Sequence, residues 1–101
     1  MTDRAELVAR WLALTCEDMP AAARARGWPV RLDHCFQRIL LDHAVGGPWR
    51  AAIQAPACRN ASAAQLARAI AVGEAALAGT CDLAALNRQS LRWRGKLRGA
   101  G

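Results

Sequence analysis

Five basic side chains surround one tryptophan at the C-terminal end of the chain, after its last acidic residue, Asp82. These residues are Arg88, Arg92, Trp93, Arg94, Lys96 and Arg98. Guanidinium groups bind phosphate oxygens through paired hydrogen bonds, and the neighbouring amides of Asn87 and Gln89 are able to read base edges. Because the whole chain has a formal net charge of +6, this segment predicts an attraction for nucleic acid or for an acidic protein surface.

On a helix, the basic residues of this segment form a row. Arg88, Arg92 and Lys96 follow one another at intervals of four, so they lie on one face. The leading hypothesis is a non-enzymatic, nucleic-acid-associated or regulatory binding module that contacts phosphates through this row, together with Arg94 and Arg98. An adaptor that docks onto an acidic partner is the alternative, and a small enzyme is the third. Basic residues near a helix C-terminus also stabilise its dipole, so a solvated helix end explains the same pattern.

The four cysteines stand alone in the sequence, without a C-x-x-C pair. They are Cys16, Cys35, Cys58 and Cys81. We expect reduced thiols that pack as small hydrophobic side chains, with Cys35 buried on the inner face of the second helix. A zinc site drawn from Cys16, Cys35, His34 and His43 lacks the close paired spacing of structural zinc ligands, so we expect no metal and no other cofactor.

The histidines suggest a second chemistry, a cysteine nucleophile paired with a base. His34 and Cys35 are adjacent, so on a helix their side chains point about 100° apart. Cys35 and His43 are eight residues apart, about two helical turns, which is too far for direct contact. Neither pair has the geometry that activates a thiolate, and we predict no catalytic residue.

Residues 65–81 match part of the spacing of a DNA-binding helix pair. Gln65, Ala69 and Gly73 occupy the positions of the glutamine, the small residue and the turn glycine of many helix-turn-helix motifs. Gly79 then stands where such motifs need a branched apolar residue, and residues 71–77 are equally typical of uninterrupted helix. A looser helical hairpin, with its turn at residues 79–81, remains as an alternative.

Composition indicates which elements must position these groups. Hydrophobic residues make up 53% of the 101 residues, and about half of them are alanine, the strongest helix former. The chain has no tyrosine, one phenylalanine and few β-branched residues, so there is little from which to build strands. We predict an all-α fold, a compact bundle of four to five helices in a single domain over residues 1–101.

Cap residues mark where the helices begin. A serine or aspartate side chain accepts a hydrogen bond from the first free N–H groups, and a glutamate or glutamine three residues later completes a capping box. The predicted boxes are Asp3 with Glu6 and Ser62 with Gln65, and the predicted single caps are Asp33 and Asp82. The helix that begins at Asp82 is the basic one, and we predict it over residues 82–98.

Glycines and prolines mark where the helices end or change direction. Predicted stops are Gly27, Gly46, Gly47 and Gly79. Pro20 predicts a kink or a restart in the first helix, and Pro48 suits the first position of a short third helix. Apolar residues at intervals of three and four predict the buried faces. They include Leu7, Trp11, Leu14, Phe36, Ile39, Leu40, Leu66, Ile70, Leu77, Leu83, Leu86, Trp93 and Leu97.

The N-terminal residues are charged and are not followed by the apolar stretch of a secretory signal. No apolar run approaches the roughly 20 residues that are needed to span a bilayer. We therefore expect a cytoplasmic protein with no membrane partner. The sequence does not specify its oligomeric state.

Four segments resemble a group of short bacterial proteins of uncharacterised function, and the resemblance extends over most of the chain. The segments are residues 26–29 (RGWP), 33–39 (DHCFQRI), 47–49 (GPW) and 86–96 (LNRQSLRWRGK). Some members of that group carry an acetyltransferase-related label, which implies a central sheet and a glycine-rich pyrophosphate loop. This sequence has neither a sheet-forming pattern nor that loop, so the resemblance implies a small bacterial intracellular protein and assigns no catalytic residue.

Overall fold

Helices make up the regular structure in the computed structural model, which describes residues 3–95. The helices are α1 (Arg4–Ala13), α2 (Met19–Arg26), α3 (Asp33–Val45), α4 (Ala57–Asn60), α5 (Ala63–Ala78) and α6 (Leu83–Trp93), of which α4 is a single turn. A π-helical turn, Leu14–Asp18, joins α1 to α2, and a 3-10 turn, Trp49–Ala51, follows α3. No strand occurs within residues 3–95, and the predicted all-α bundle of four to five helices is confirmed.

The first two helices form one continuous segment with a wide turn in its middle. Asp3 caps α1 by accepting a hydrogen bond from the Ala5 N–H, one residue before Glu6, so the predicted capping box with Glu6 does not form. Pro20 has no N–H to donate to the carbonyl four residues earlier. The chain widens into the π-helical turn just before it, where the Met19 N–H bonds the Leu14 carbonyl. The interruption predicted at Pro20 is therefore a local change of helix type.

α3 is the central helix of the bundle, because it packs against α2, α5, α6 and both turns. Its buried side chains include Phe36, Ile39 and Leu40, as predicted. The other elements contribute the buried residues Trp11, Leu14, Met19, Ile53, Leu66, Ile70 and Leu83. A single hydrophobic core therefore surrounds α3, and any polar group that α3 places on its packed faces must find a partner there.

The first turn of α3 differs from the prediction. Leu32, not Asp33, has the extended backbone of an N-cap residue, and its carbonyl accepts bonds from the Cys35 and Phe36 N–H groups. Asp33 is the first helical residue, and its carboxylate accepts a hydrogen bond of 2.7 Å from the His34 N–H. The helix therefore starts one residue earlier than predicted, and its N-cap has no side-chain hydrogen bond.

α5 begins with the predicted capping box, in which Ser62 and Gln65 exchange both hydrogen bonds. The helix then runs without interruption through Gly73, where a side chain would place its Cβ 2.6 Å from a Leu14 methyl and 2.9 Å from a Leu40 methyl. Glycine therefore serves close packing here and not a turn, so the helix-turn-helix interpretation is wrong. Among the described residues, no helix is both long and apolar enough to cross a membrane.

α6 is shorter than predicted. Asp82 caps it through the Ala84 N–H, as expected, but the helix ends at Trp93 instead of continuing to Arg98. Gly95 adopts the left-handed conformation (φ 68°), which ends helices. α6 packs mainly on α3 and has at most minor contact with α5, so these two helices do not form the looser hairpin either. Lys96, Leu97 and Arg98 lie outside the described residues.

The four cysteines are free, and none is fully buried. Cys16 is exposed, whereas Cys35, Cys58 and Cys81 are partly exposed. The prediction that Cys35 is buried is therefore wrong. It stands in the first turn of α3, where fewer neighbouring elements cover a side chain than at the middle of the helix.

We expect all four thiols to react with iodoacetamide in the unfolded protein without prior reduction. Intact mass spectrometry would show four added groups, and in the folded protein the exposed Cys16 should be labelled first, because access limits the reaction. A mass lower by two hydrogens per missing pair of labels would instead show a disulfide and contradict this prediction.

Candidate functional site

A buried carboxylate, Asp42, is the centre of a polar network between α3 and α6. Its side chain is fully buried and accepts four hydrogen bonds. Arg94 donates two of them, from Nε at 2.7 Å and from Nη2 at 2.8 Å, and so binds both carboxylate oxygens. The Ser90 hydroxyl donates a third at 2.7 Å, and the Trp49 backbone N–H donates the fourth at 2.9 Å.

Helical spacing explains why these groups meet. Arg38 and Asp42 are four residues apart on α3, so they lie on the same face. Asn87 and Ser90 are three residues apart on α6. Arg94 is four residues after Ser90 and directly follows the last helical residue. Packing of α6 on α3 places these two polar rows opposite each other. A row of polar residues within the apolar face of α6 was the signal in the sequence for this network.

Arg38 is the second cation of the network, and its partners are neutral. It donates hydrogen bonds of 2.7 Å to the Ser90 hydroxyl and to the Asn87 side-chain oxygen. No carboxylate lies within 4 Å of its guanidinium among the described residues. Burial lowers the pKa of Arg38, because its charged form has lost water without gaining a direct ion pair.

Arg94 is in the opposite electrostatic situation. The hydrogen bonds to Asp42 raise its pKa, because they stabilise the charged guanidinium. Two of the residues predicted to contact nucleic acid, Asn87 and Arg94, are thus engaged inside the protein. Only 9% of Asn87 is exposed, and Arg38 already occupies its oxygen. The prediction that these two residues contact nucleic acid at the surface is therefore wrong. They belong to the network, because they lie on the face of α6 that packs on α3.

The outer face of α6 carries the remaining predicted residues. Arg88 and Arg92 are exposed, and Gln89 is partly exposed. Neither arginine has a carboxylate within 4 Å in the part of the chain that the structure describes. Lys96 and Arg98, the other members of the predicted row, lie outside the described residues. The structure therefore brings two of the predicted cations together on one surface.

The histidines and cysteines do not form a reactive cluster. His43 lies 2.9 Å from the Leu86 carbonyl through Nε2 and packs edge-on against Trp93, with ring centres 4.9 Å apart. His34 is exposed beside Asp33. Across residues 3–95, no three histidine, cysteine or acidic side chains meet in a group that could hold a metal ion.

The site is suited to binding anions, because Arg88 and Arg92 on α6 and Arg38 in the network have no carboxylate partner among the described residues. The Cys16 thiol lies 3.8 Å from the Asp33 carboxylate, but both side chains are exposed to solvent. The buried Ser90 hydroxyl bonds Asp42 and is closed off by Arg38 and Arg94. Comparison of the chain with models of protein families, with curated proteins and with solved structures gave no match.

Proposed function

We propose that this protein is a small non-enzymatic binding module that contacts the phosphate backbone of nucleic acid through the outer face of α6. One observation carries the proposal: Arg88 and Arg92 are exposed one turn apart, and neither has a carboxylate partner. An arginine pair without internal partners keeps its full charge and all its N–H donors available for an oxyanion.

The inner face of α6 supports this role by holding the helix rigidly. Ser90, Asn87 and Arg94 are fixed by hydrogen bonds to α3, and Leu83 is buried in the core. The outer arginines therefore project from a helix that does not need to be ordered on binding. Presentation from a rigid element reduces the entropy that a binding site loses when it captures its partner.

Long-range electrostatics favour a polyanion at this end of the chain. No acidic residue follows Asp82, whereas the chain carries five basic residues beyond it and a net charge of +6. A basic field of this kind increases the rate of encounter with a polyanion, and it weakens as salt is added.

Nucleic acid suits this face better than an acidic protein does. Protein interfaces usually have an apolar centre, and the two large apolar side chains that are well exposed in the described residues, Leu12 and Leu32, belong to other parts of the fold. The exposed face of α6 offers charge and amides, which phosphates can satisfy alone. Docking onto an acidic protein is the other outcome that the experiment below can give.

We expect the double variant Arg88→Gln/Arg92→Gln to lose affinity for a DNA duplex and to reduce the slope of log affinity against log salt by about 2, since each lost phosphate contact removes about 0.9. Fluorescence anisotropy at several salt concentrations measures both quantities. The free energy of unfolding should change by less than about 0.5 kcal/mol, because exposed charges contribute little to folding.

The matched control is Arg24→Gln/Arg68→Gln, which removes two exposed arginines from α2 and α5. If both double variants change the slope equally, binding is diffuse and the α6 site is refuted. Absence of DNA binding by the parent at about 50 mM salt would also refute the proposal. Binding of polyglutamate in that case would identify the acidic-partner adaptor.

A further inference from the structure

A cavity of about 630 Å³ opens beside the buried network, between α1, α3, the 3-10 turn and residues 55–58. Its apolar walls include Trp11, Leu41 and Trp49, of which Trp11 and Leu41 are almost fully buried. Leu12 lines it too and remains 43% exposed, so it lies where the cavity meets solvent. The volume is in the range of pockets that hold small organic molecules.

The ionisable side chains that line this cavity are three arginines, one histidine and one cysteine. The arginines are Arg38, Arg50 and Arg94, and no aspartate or glutamate of the described residues is part of the lining. Asp42 neutralises the charge of Arg94 without lining the cavity, but Arg38 hydrogen-bonds only to neutral groups. The cavity therefore has an excess of positive charge that an anionic ligand would neutralise.

Both network arginines have donors left for such a ligand. A guanidinium has five N–H groups. Arg38 donates two of them to Ser90 and Asn87, and Arg94 donates two to Asp42. The contacts already made fix the orientation of both side chains, so a carboxylate or phosphate group in the cavity would meet donors that are held in place.

The apolar walls indicate what else the ligand must carry. Trp11 and Leu41 are already almost fully buried, so a ligand gains little by covering them. The apolar surface that is open to a ligand belongs to Leu12 and to the partly exposed Trp49, and the Arg50 guanidinium lies over the Trp49 ring at 5.3 Å. A bare inorganic ion would leave this surface in contact with water. An apolar body attached to the oxyanion would cover it and gain the free energy of hydrophobic burial.

We propose that this cavity binds a small organic acid, with its oxyanion head beside Arg38 and Arg94 and its aromatic or aliphatic body against Leu12 and Trp49. This inference goes beyond the nucleic-acid interface and rests on different residues. Arg88 and Arg92 do not line the cavity.

Isothermal titration calorimetry with 4-phenylbutyrate tests the proposal, with the neutral 4-phenylbutyramide as the matched ligand. We expect the acid to bind at least about tenfold more tightly than the amide, because a charge-assisted hydrogen bond contributes more than a neutral one. Phenyl phosphate and inorganic phosphate form two further arms. Tighter binding of phenyl phosphate than of 4-phenylbutyrate would identify the head as a phosphate, and inorganic phosphate should bind more weakly than either.

Two variants test whether the acid binds in this cavity. Arg38→Gln should weaken binding of the acid by about tenfold or more. Because this change also affects the network, Leu12→Asp provides a second test at an exposed position, where the new charge repels the acid and should weaken its binding by about fivefold. Leu32→Asp is its control, since Leu32 is 56% exposed and does not line the cavity. Affinity for the acid should be unchanged in this control.

Equal affinity for acid and amide would overturn the proposal, and so would binding of the acid that neither Arg38→Gln nor Leu12→Asp weakens. No detectable binding of 4-phenylbutyrate or phenyl phosphate at about 10 mM would overturn it as well. The variant Arg88→Gln/Arg92→Gln should bind the acid as the parent does. Failure of the cavity site and failure of the α6 site are therefore distinguished by separate ligands and separate variants.

Discussion

Replacing Asp42 by asparagine should lower the free energy of unfolding by about 3–5 kcal/mol, because breaking a buried ion pair leaves an uncompensated charge. The carboxylate is fully buried and accepts hydrogen bonds from Arg94, Ser90 and the Trp49 N–H. Asparagine keeps the size but leaves the Arg94 guanidinium without its counter-ion. Urea unfolding followed by circular dichroism measures the loss, which is a large fraction of the about 5–15 kcal/mol typical of such a domain.

A double-mutant cycle separates the ion pair from the other contacts of Asp42. Arg94→Gln alone should also destabilise the protein, because it leaves the buried carboxylate with only neutral partners. The two changes together should cost less than the sum of the single changes, by about 1–3 kcal/mol of coupling.

The control is Asp18→Asn, which removes an exposed carboxylate that pairs with Arg10 at 2.8 Å. Both of these side chains are about 40% exposed, so this change should alter stability by less than about 1 kcal/mol. If Asp42→Asn is as mild as Asp18→Asn, the network does not stabilise the fold, and the arginines of the cavity are not held in place by it.

Much of the fold could be predicted because its signals are local. The Ser62–Gln65 capping box and the left-handed glycines at Gly27, Gly46 and Gly79 involve atoms within about five residues of one another. A short stretch of sequence is therefore enough to predict each of these caps. Apolar periodicity also identified Phe36, which is fully buried in the core.

The candidate site was less predictable because its partners are distant in sequence. Arg94 bonds Asp42, which is 52 positions away in the sequence, and Arg38 bonds Asn87, which is 49 positions away. Helical spacing places Asn87 and Arg94 on the same face as the buried Leu83, but it does not show which groups they meet. Only the packing of α6 on α3 brings them to Arg38 and Asp42.

The end of α6 was also predicted incorrectly. Gly95 is a stop signal inside the predicted range 82–98, but the apolar spacing of Leu97 favoured continuation. In the structure the helix ends at Trp93, and Gly95 takes the left-handed conformation while Arg94 bonds Asp42. Of the two conflicting local signals, the structure follows the glycine.

The two tryptophans of α1 and α6 should differ sharply in their contribution to stability. Trp11 is 1% exposed, so Trp11→Ala should lower the free energy of unfolding by about 3–5 kcal/mol through lost burial and a new void. Trp93, predicted as a core anchor, is only partly buried and packs on the edge of the His43 ring at 4.9 Å. Removing it should therefore cost less, about 1–2 kcal/mol, from one aromatic contact and partial burial.

Urea unfolding monitored by circular dichroism at 222 nm compares the two variants without depending on the tryptophan fluorescence that each change removes. Trp11→Phe is the matched control, because it keeps an aromatic ring in the core and should recover more than half of the loss seen with alanine. Equal losses from Trp11→Ala and Trp93→Ala would contradict the assignment of Trp11 to the core and Trp93 to its margin. Such a result would mean that the end of α6 contributes as much as α1, and that Arg88 and Arg92 project from a helix anchored mainly by Trp93 instead of by the Asp42 network.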